Sequence, residues 1–246
     1  MYQKTSALVL STMKYADNSL IVRCFTREYG GCSYLLKGIL KPSKSVLKVG
    51  LFQPLAQLAL VATYKEGALS YIKEAKVIHP YNSLHTHPYK SVVTIFLSEV
   101  CAQICQPDTP DIPLFDFLSE QLHRLDTTDY NPHFHLKFLL SLTRLLGFYP
   151  DTTHDHLPYF NIEEGVFTAT ESTPHHIAGH TLSLLTTLLH TPFGELNTLK
   201  SRHEDRNALL VQLLKYYQWH YPNFKEIKSL EVLQQVVKHR KEAETL

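Results

Sequence analysis

The sequence predicts an α+β protein in which a small β-barrel is followed by an all-α helical domain. Short segments rich in β-forming residues fill the first 80 residues, whereas after Pro80 apolar residues recur with the 3.6-residue period of a helix. The charge changes sign at the same place. Residues 1–80 hold 11 Lys and Arg against four acids, a net of +7, and residues 81–246 hold 13 against 19, a net of −6. We therefore expect one domain at 1–80 and a second at 81–246.

Five predicted strands build the first domain. The last two flank Lys65-Glu66-Gly67, which is a hairpin signal. Five short strands with almost no helix between them favour a closed or nearly closed barrel, although an SH3-like barrel or a half-sandwich fits the periodicity equally well. The predicted strands are 6–12, 19–26, 32–37, 56–64 and 71–78.

Helical spacing defines the second domain. The third helix ends at Gly147 with Pro150 beyond it, a common stop signal. Between the third and fourth helices, residues 148–173 predict a loop or small hairpin insert around Phe160–Phe167. The predicted helices are 88–105, 114–125, 132–146, 174–189, 204–220 and 227–240.

Several protein classes find no support in the sequence. No apolar run approaches the roughly 18 residues that span a bilayer, so we expect a cytoplasmic protein without a membrane partner. The four cysteines form no CxxC pair and are interpreted as small buried hydrophobes. Nucleotide-binding, esterase and zinc-protease motifs are missing from the sequence, so we expect no enzyme, although a triad assembled in space stays open.

A basic segment joins the third and fourth predicted strands. It carries four lysines and no acid, and flexible ammonium groups beside a curved sheet suit tracking of phosphates along a nucleic-acid strand. The alternative is a solvated loop that prevents association of sheet edges. Arg23 and Arg27 would add guanidinium groups, and Tyr15, Tyr29 and Tyr34 offer stacking surfaces or, taken singly, core packing. The four lysines are Lys37, Lys41, Lys44 and Lys48.

The histidines suggest a metal site only weakly. His176 and His180 are four residues apart and would share a face of the predicted fourth helix. No cysteine lies nearby and the spacing fits no closed zinc pattern, so we expect neither a metal nor another cofactor.

Motifs in order along the chain resemble a known family. Ala7–Leu10, Tyr15–Val22, Phe25-Thr26, Lys37-Gly38 and Leu51–Pro54 resemble the amino-terminal domain of the bacterial recombination mediator family RecO. Phe134–Pro150 resembles the central helices of that family, so the resemblance spans nearly the whole chain. Many members carry a four-cysteine zinc site in the region that matches 151–174, where this chain has no cysteine.

The resemblance implies an OB-fold, binding of single- and double-stranded DNA, annealing of complementary strands and assistance to RecA loading, without nucleotide hydrolysis. It implies RecR and the acidic tail of single-stranded-DNA-binding protein (SSB) as partners and a nucleoid-associated place in the cytoplasm. An acidic tail needs cations beside an apolar groove, and Arg124, Lys137 and Arg144 are the predicted cations. An RNA-binding OB protein of translation or RNA metabolism is the alternative.

Overall fold

The computed structural model describes residues 1–41, 47–171 and 173–243, with side chains up to Val236 in the last helix. The described chain divides into two compact units. The first comprises Met1–Asp129 together with Ser229–Leu233, and the second comprises Tyr130–Lys228 and the helix residues from Gln234. The first unit thus contains the predicted barrel and the first two helices, and a domain boundary at residue 80 stays a prediction.

A five-stranded antiparallel sheet in the order β3-β2-β1-β4-β5 forms the start of the first unit. Two backbone hydrogen bonds also join β3 to Ser70, which lies two residues before β5. The Leu35 N–H donates to the Ser70 carbonyl at 2.9 Å and the Ser70 N–H donates to the Ser33 carbonyl at 2.8 Å. The sheet therefore curls on itself as in an OB-fold, which confirms the predicted α+β class. The strands are β1 Tyr2–Tyr15, β2 Ser19–Thr26, β3 Gly30–Leu36, β4 Gln57–Thr63 and β5 Ile72–Val77.

Alternate residues of these strands fill the inside of the curled sheet, because successive side chains of a strand point to opposite faces. The interior is apolar, with Tyr34 as its largest fully buried side chain. It is lined mainly by Ala7, Val9, Val22, Cys24, Cys32, Tyr34, Leu58, Leu60 and Ala62.

Helices cover the middle of the outer face of the sheet. Leu8 and Leu10 are buried outside the interior core, and the ring of Phe25 lies 5.9 Å from that of Phe115. A register shift between Val9 and Ser11 changes the face of the sheet to which the later side chains of β1 point. The outer face of β1 is consequently exposed at both ends and covered in between. The helices of the first unit are α1 Pro88–Ile104 and α2 Ile112–Thr127.

A buried polar network fixes the connection from β5 to α1. The carboxylate of Asp126 accepts the backbone N–H groups of residues 82–84 at 2.8–3.0 Å. The Lys90 ammonium, 4% exposed, donates to the hydroxyl of Ser83 and to the carbonyls of Asp126 and Thr128. Burial lowers the pKa of Lys90, while Asp126 opposes that shift.

The second unit packs helices around a three-stranded sheet with the order β7-β6-β8. Its core includes Phe160 and Ile177, which face each other across β6 and β8. The predicted helix from residue 174 is wrong at its start, because residues 176–178 pair with β6 as a strand and α4 begins only at Gly179. The elements are α3 Phe134–Leu145, β6 Tyr159–Asn161, β7 Val166–Thr168, β8 His176–Ala178, α4 Gly179–His190 and α5 His203–His220, followed by α6 Leu230–Ala243, which spans both units.

Candidate nucleic-acid interface

The end of the β1–β2 hairpin that carries its turn presents a group of side chains on the outer face of the sheet. We call this group the hairpin patch, and it consists of Met13, Tyr15, Ile21, Arg23 and Lys37. The strand register places Met13 opposite Ile21 and Tyr15 opposite Ser19, on the same face as Arg23. Met13 is 60% exposed and Tyr15 is 49% exposed. The ring of Tyr15 faces solvent on a sheet flanked by Arg23 and Lys37, so nucleobases can stack on it, and the Met13 side chain adds apolar surface beside it.

Lys37 lies at the same end of the sheet. It follows β3, and the next backbone N–H, that of Gly38, donates to the Ser19 hydroxyl at 3.4 Å. The Lys37 ammonium sits 5.5 Å from the centroid of the Tyr71 ring, a cation–π contact. Tyr71 is exposed, and the sequence predicts it only as the first residue of a strand, not as a stacking surface.

Backbone contacts bring the start of the lysine-rich segment to the hairpin tip. The Leu40 N–H donates to the Asn18 carbonyl at 3.2 Å, and the Lys41 N–H donates to the Gly38 carbonyl at 3.1 Å. Lys41 and Lys48 are both exposed. Lys44 lies outside the described residues. Lys41 therefore adds its charge near the tip of the hairpin.

Arg23 and Arg27 are held by helices. A guanidinium nitrogen of Arg23 donates to the Ala102 carbonyl near the end of α1 at 3.4 Å. Arg27 forms a bidentate pair with Asp116 at 3.0 and 3.1 Å, and this hydrogen-bonded pair raises the pKa of Arg27. Arg27 also follows β2, whose eight residues place it about 26 Å from the strand end that meets Tyr15. The structure thus separates Arg27 from the hairpin patch.

The three predicted partner-binding cations belong to two different units. Arg124 lies in the first unit, where it pairs with Glu120 at 3.4 Å. Lys137 and Arg144 lie on α3 in the second unit. Arg144 is exposed, and its guanidinium stacks 4.1 Å from the centroid of the Tyr149 ring.

Lys137, predicted as a cation for the acidic tail, is not an accessible charge. It is only 9% exposed, and its ammonium donates to the carbonyls of Leu188 at 2.9 Å and Leu189 at 3.5 Å near the end of α4. Burial lowers the pKa of Lys137, and the charge of Arg144 lowers it further. Packing of α3 against the end of α4 covers Lys137.

The predicted histidine pair and the cysteines have separate environments. His176 lies on β8 and His180 on α4, so they do not share a helix face. Across residues 1–41, 47–171 and 173–243, no group of three or more His, Cys, Asp or Glu side chains is placed to hold a metal. The four cysteines are buried and unpaired with one another, as expected of small hydrophobes, and burial raises the pKa of Cys101 to about 12.

A curled five-stranded sheet with an aromatic and basic patch at one end, followed by helices, defines an α+β protein with an OB-fold at its amino-terminal end. The family model for the amino-terminal part of recombination protein O matches residues 1–81, and the model for its carboxy-terminal part matches residues 85–231. The chain therefore belongs to the RecO family, and its role is in DNA repair and recombination.

Relatives with the same description cover almost the full length. The DNA repair protein RecO of Christiangramia forsetii is 41% identical over 94% of this chain and 98% of its own. Those of Flavobacterium johnsoniae and Flavobacterium psychrophilum are 39% and 38% identical over 96% of this chain and 99% of their own. None of the helices in the described part of the chain has the length and apolar character to span a membrane.

Proposed function

We propose that this chain is a non-enzymatic recombination mediator that binds single- and double-stranded DNA and anneals complementary strands. In this proposal it assists RecA loading on strands coated by SSB, works with RecR and the SSB tail, and acts in the cytoplasm at the nucleoid. The observation that carries the proposal is the hairpin patch, in which exposed aromatic and apolar side chains lie beside the described lysines.

The physical basis is neutralisation of two polyanions. Annealing requires bases of two strands to meet, and phosphate repulsion opposes that meeting. Cations that displace counterions from phosphates remove this repulsion without any activated nucleophile. Tyr15 and Tyr71 would hold bases by stacking, a sequence-tolerant interaction worth about 1–3 kcal/mol per base.

Docking of the acidic SSB tail is assigned to Arg144 in this proposal. Arg144 is exposed, is oriented by Tyr149 and neighbours the half-exposed Leu145, so a cation and an apolar side chain adjoin. Lys137 is committed to the end of α4 and would support the position of α3 instead of meeting the carboxylate. Arg124 is left out of this site.

Annealing of SSB-coated complementary strands, with and without the protein, tests the mediator role. We expect faster annealing with the wild-type chain and loss of the acceleration in Lys37→Glu/Lys41→Glu. No acceleration on DNA, with tight binding to structured RNA in its place, would favour the RNA-binding alternative and refute the proposal.

Titration of a labelled tail peptide tests the docking site. Arg144→Ala should weaken peptide binding at least tenfold, about 1.4 kcal/mol, and leave DNA binding unchanged. Arg202→Ala is the matched control, since Arg202 is an exposed arginine of the same unit that pairs with Asp205 at 2.9 Å. Equal peptide affinity in both variants would place the docking site elsewhere.

A further inference from the structure

A second exposed area occupies the other end of the outer face of β1. We call it the β5 cleft, a concave region of about 460 Å³ on strands β1, β4 and β5. The register aligns Ser6 with Ala59 and Lys76 in one row, and Lys4 with Val61 and Glu74 in the next. Small side chains thus form the floor and long charged ones the rim. Its lining residues are Lys4, Thr5, Ser6, Glu28, Ala59, Leu60, Val61, Glu74 and Lys76.

Three lysines and two glutamates lie at the β5 cleft and its edge, a net charge of +1: Lys4, Lys73 and Lys76 against Glu28 and Glu74. Glu28 accepts a hydrogen bond from the hydroxyl of Thr5 at 2.5 Å, and Glu74 lies 3.7 Å from the ammonium of Lys73. Lys4 and Lys76 are exposed, and neither has an ion-pair partner within 4.0 Å among the residues that the structure describes. Lys4 lies on β1 and Lys76 on β5, so they are two strands apart across the sheet and two residues apart along it. Their Cα atoms are therefore separated by roughly 12 Å.

An exposed aromatic ring adjoins these lysines. Tyr2 is two residues before Lys4 on the same face of β1, and it is 51% exposed. The ammonium of Lys73 lies 5.8 Å from the centroid of its ring. The area therefore combines a tyrosine with a lysine over its face, as Tyr71 and Lys37 do beside the hairpin patch. Lys4 lies at the opposite end of the covered stretch of β1 from Met13 and Tyr15.

We propose that the β5 cleft binds a second segment of single-stranded nucleic acid while the hairpin patch holds the first. The inference rests on the proposed function and adds the place of the second strand. The phosphates would lie against Lys4 and Lys76, and a base would stack on Tyr2. A cleft of about 460 Å³ has room for part of a single strand but not for a duplex.

Nucleic acid fits this area better than a protein partner does. Protein interfaces are centred on desolvated apolar anchors, and lysine is depleted from them. The floor of the cleft offers only small side chains, and its rim is charged throughout. A ring and two free ammonium groups on a rigid sheet suit stacking and phosphate contacts.

The test counts strands per chain. Non-complementary oligonucleotides of about ten nucleotides, within the site size of one OB-fold, are mixed with the full-length protein and counted by native mass spectrometry. We expect two strands per wild-type chain, one in Lys4→Glu/Lys76→Glu, and one in the matched variant Lys37→Glu/Lys41→Glu. Milder Lys→Gln versions of both pairs, with unfolding curves, separate lost binding from lost folding.

The outcomes distinguish the two proposals. One strand on the wild-type chain, lost in Lys37→Glu/Lys41→Glu, would overturn the β5 cleft and leave the mediator role intact. Two strands retained in Lys4→Glu/Lys76→Glu would also overturn it, because the second strand would then bind outside the cleft. No strand on the wild-type chain would overturn both proposals.

Stacking on Tyr2 has its own readout. In the Lys37→Glu/Lys41→Glu background only the β5 cleft is left to bind. Adding Tyr2→Ala should there weaken binding by roughly fivefold or more, whereas Tyr2→Phe should preserve it. Equal affinity of the Ala and Phe variants would contradict a stacking role.

Discussion

Replacement of Gly30 by alanine should destabilise the first unit far more than the same change at Gly38. Both glycines have φ of +68°, a left-handed conformation in which an L residue costs about 1–2 kcal/mol. A Cβ at residue 38 would meet nothing within 4 Å. A Cβ at residue 30 would lie 2.2 Å from the carbonyl oxygen of Thr109 and 2.5 Å from its nitrogen. Because these are backbone atoms, the segment ahead of α2 must move.

That movement breaks identifiable hydrogen bonds. The Gly31 N–H donates to the Gln106 carbonyl at 2.9 Å, and the Asp108 N–H donates to the Gly31 carbonyl at 3.1 Å. At about 1 kcal/mol net for each bond, Gly30→Ala should lower the free energy of unfolding by about 3–4 kcal/mol. Gly38→Ala should lower it by about 1–2 kcal/mol.

Urea unfolding followed by circular dichroism measures both values on the full chain. A shift of the midpoint at constant slope reports a change of stability. Equal losses in the two variants would refute the reasoning, because only the contact with Thr109 distinguishes the sites.

Three further predictions follow from buried or paired groups. Burial lowers the pKa of His133 to about 4, whereas a histidine of the unfolded chain has a pKa near 6.5, so at pH 5 the unfolded chain binds more protons than the folded one. The free energy of unfolding should therefore fall as the pH drops from about 6.5 to 4. Urea midpoints of His133→Gln should fall less steeply over this range than those of the wild type. Asp126→Ala leaves the N–H groups of 82–84 without their acceptor and should cost about 3 kcal/mol or more in urea unfolding; a loss below 1 kcal/mol would contradict this. Arg27→Ala removes an exposed ion pair with Asp116 and should change the free energy of unfolding by about 1 kcal/mol or less. Its DNA affinity in a filter-binding assay should equal that of the wild type. A clear loss of affinity would place Arg27 in the DNA interface.

Periodicity predicted most elements because each one buries a single face. The change from period 2 to period 3.6 near residue 80 located the sheet and the helices in the right order. Strand β8 was missed because it has only three residues and its pairing with β6 is a tertiary contact. A stretch that short carries no periodic signal of its own.

The candidate site was predictable only in part. The excess of lysine pointed to the segment beyond β3, and the structure joins its start to the hairpin tip. Exposure of Tyr2 and Tyr71 could not be predicted, since it depends on which parts of the outer face α1 and α2 cover. Burial of Lys137 was equally hidden, because the acceptors of its ammonium are carbonyls on a helix about 50 residues away in sequence.

The return of Ser229–Leu233 to the first unit bears on how the chain folds during synthesis. Glu99 on α1 accepts both the backbone N–H and the hydroxyl of Ser229, at 2.9 and 2.7 Å. A ribosome delivers the five strands first, yet Leu8, Leu10 and Phe25 stay uncovered until α1 and α2 have emerged.

The contact between Glu99 and Ser229 forms only after the whole intervening segment Tyr130–Lys228 has been synthesised. Residues 1–81 alone would therefore present an apolar outer face, which promotes aggregation. The nascent barrel thus depends on residues that the ribosome adds much later.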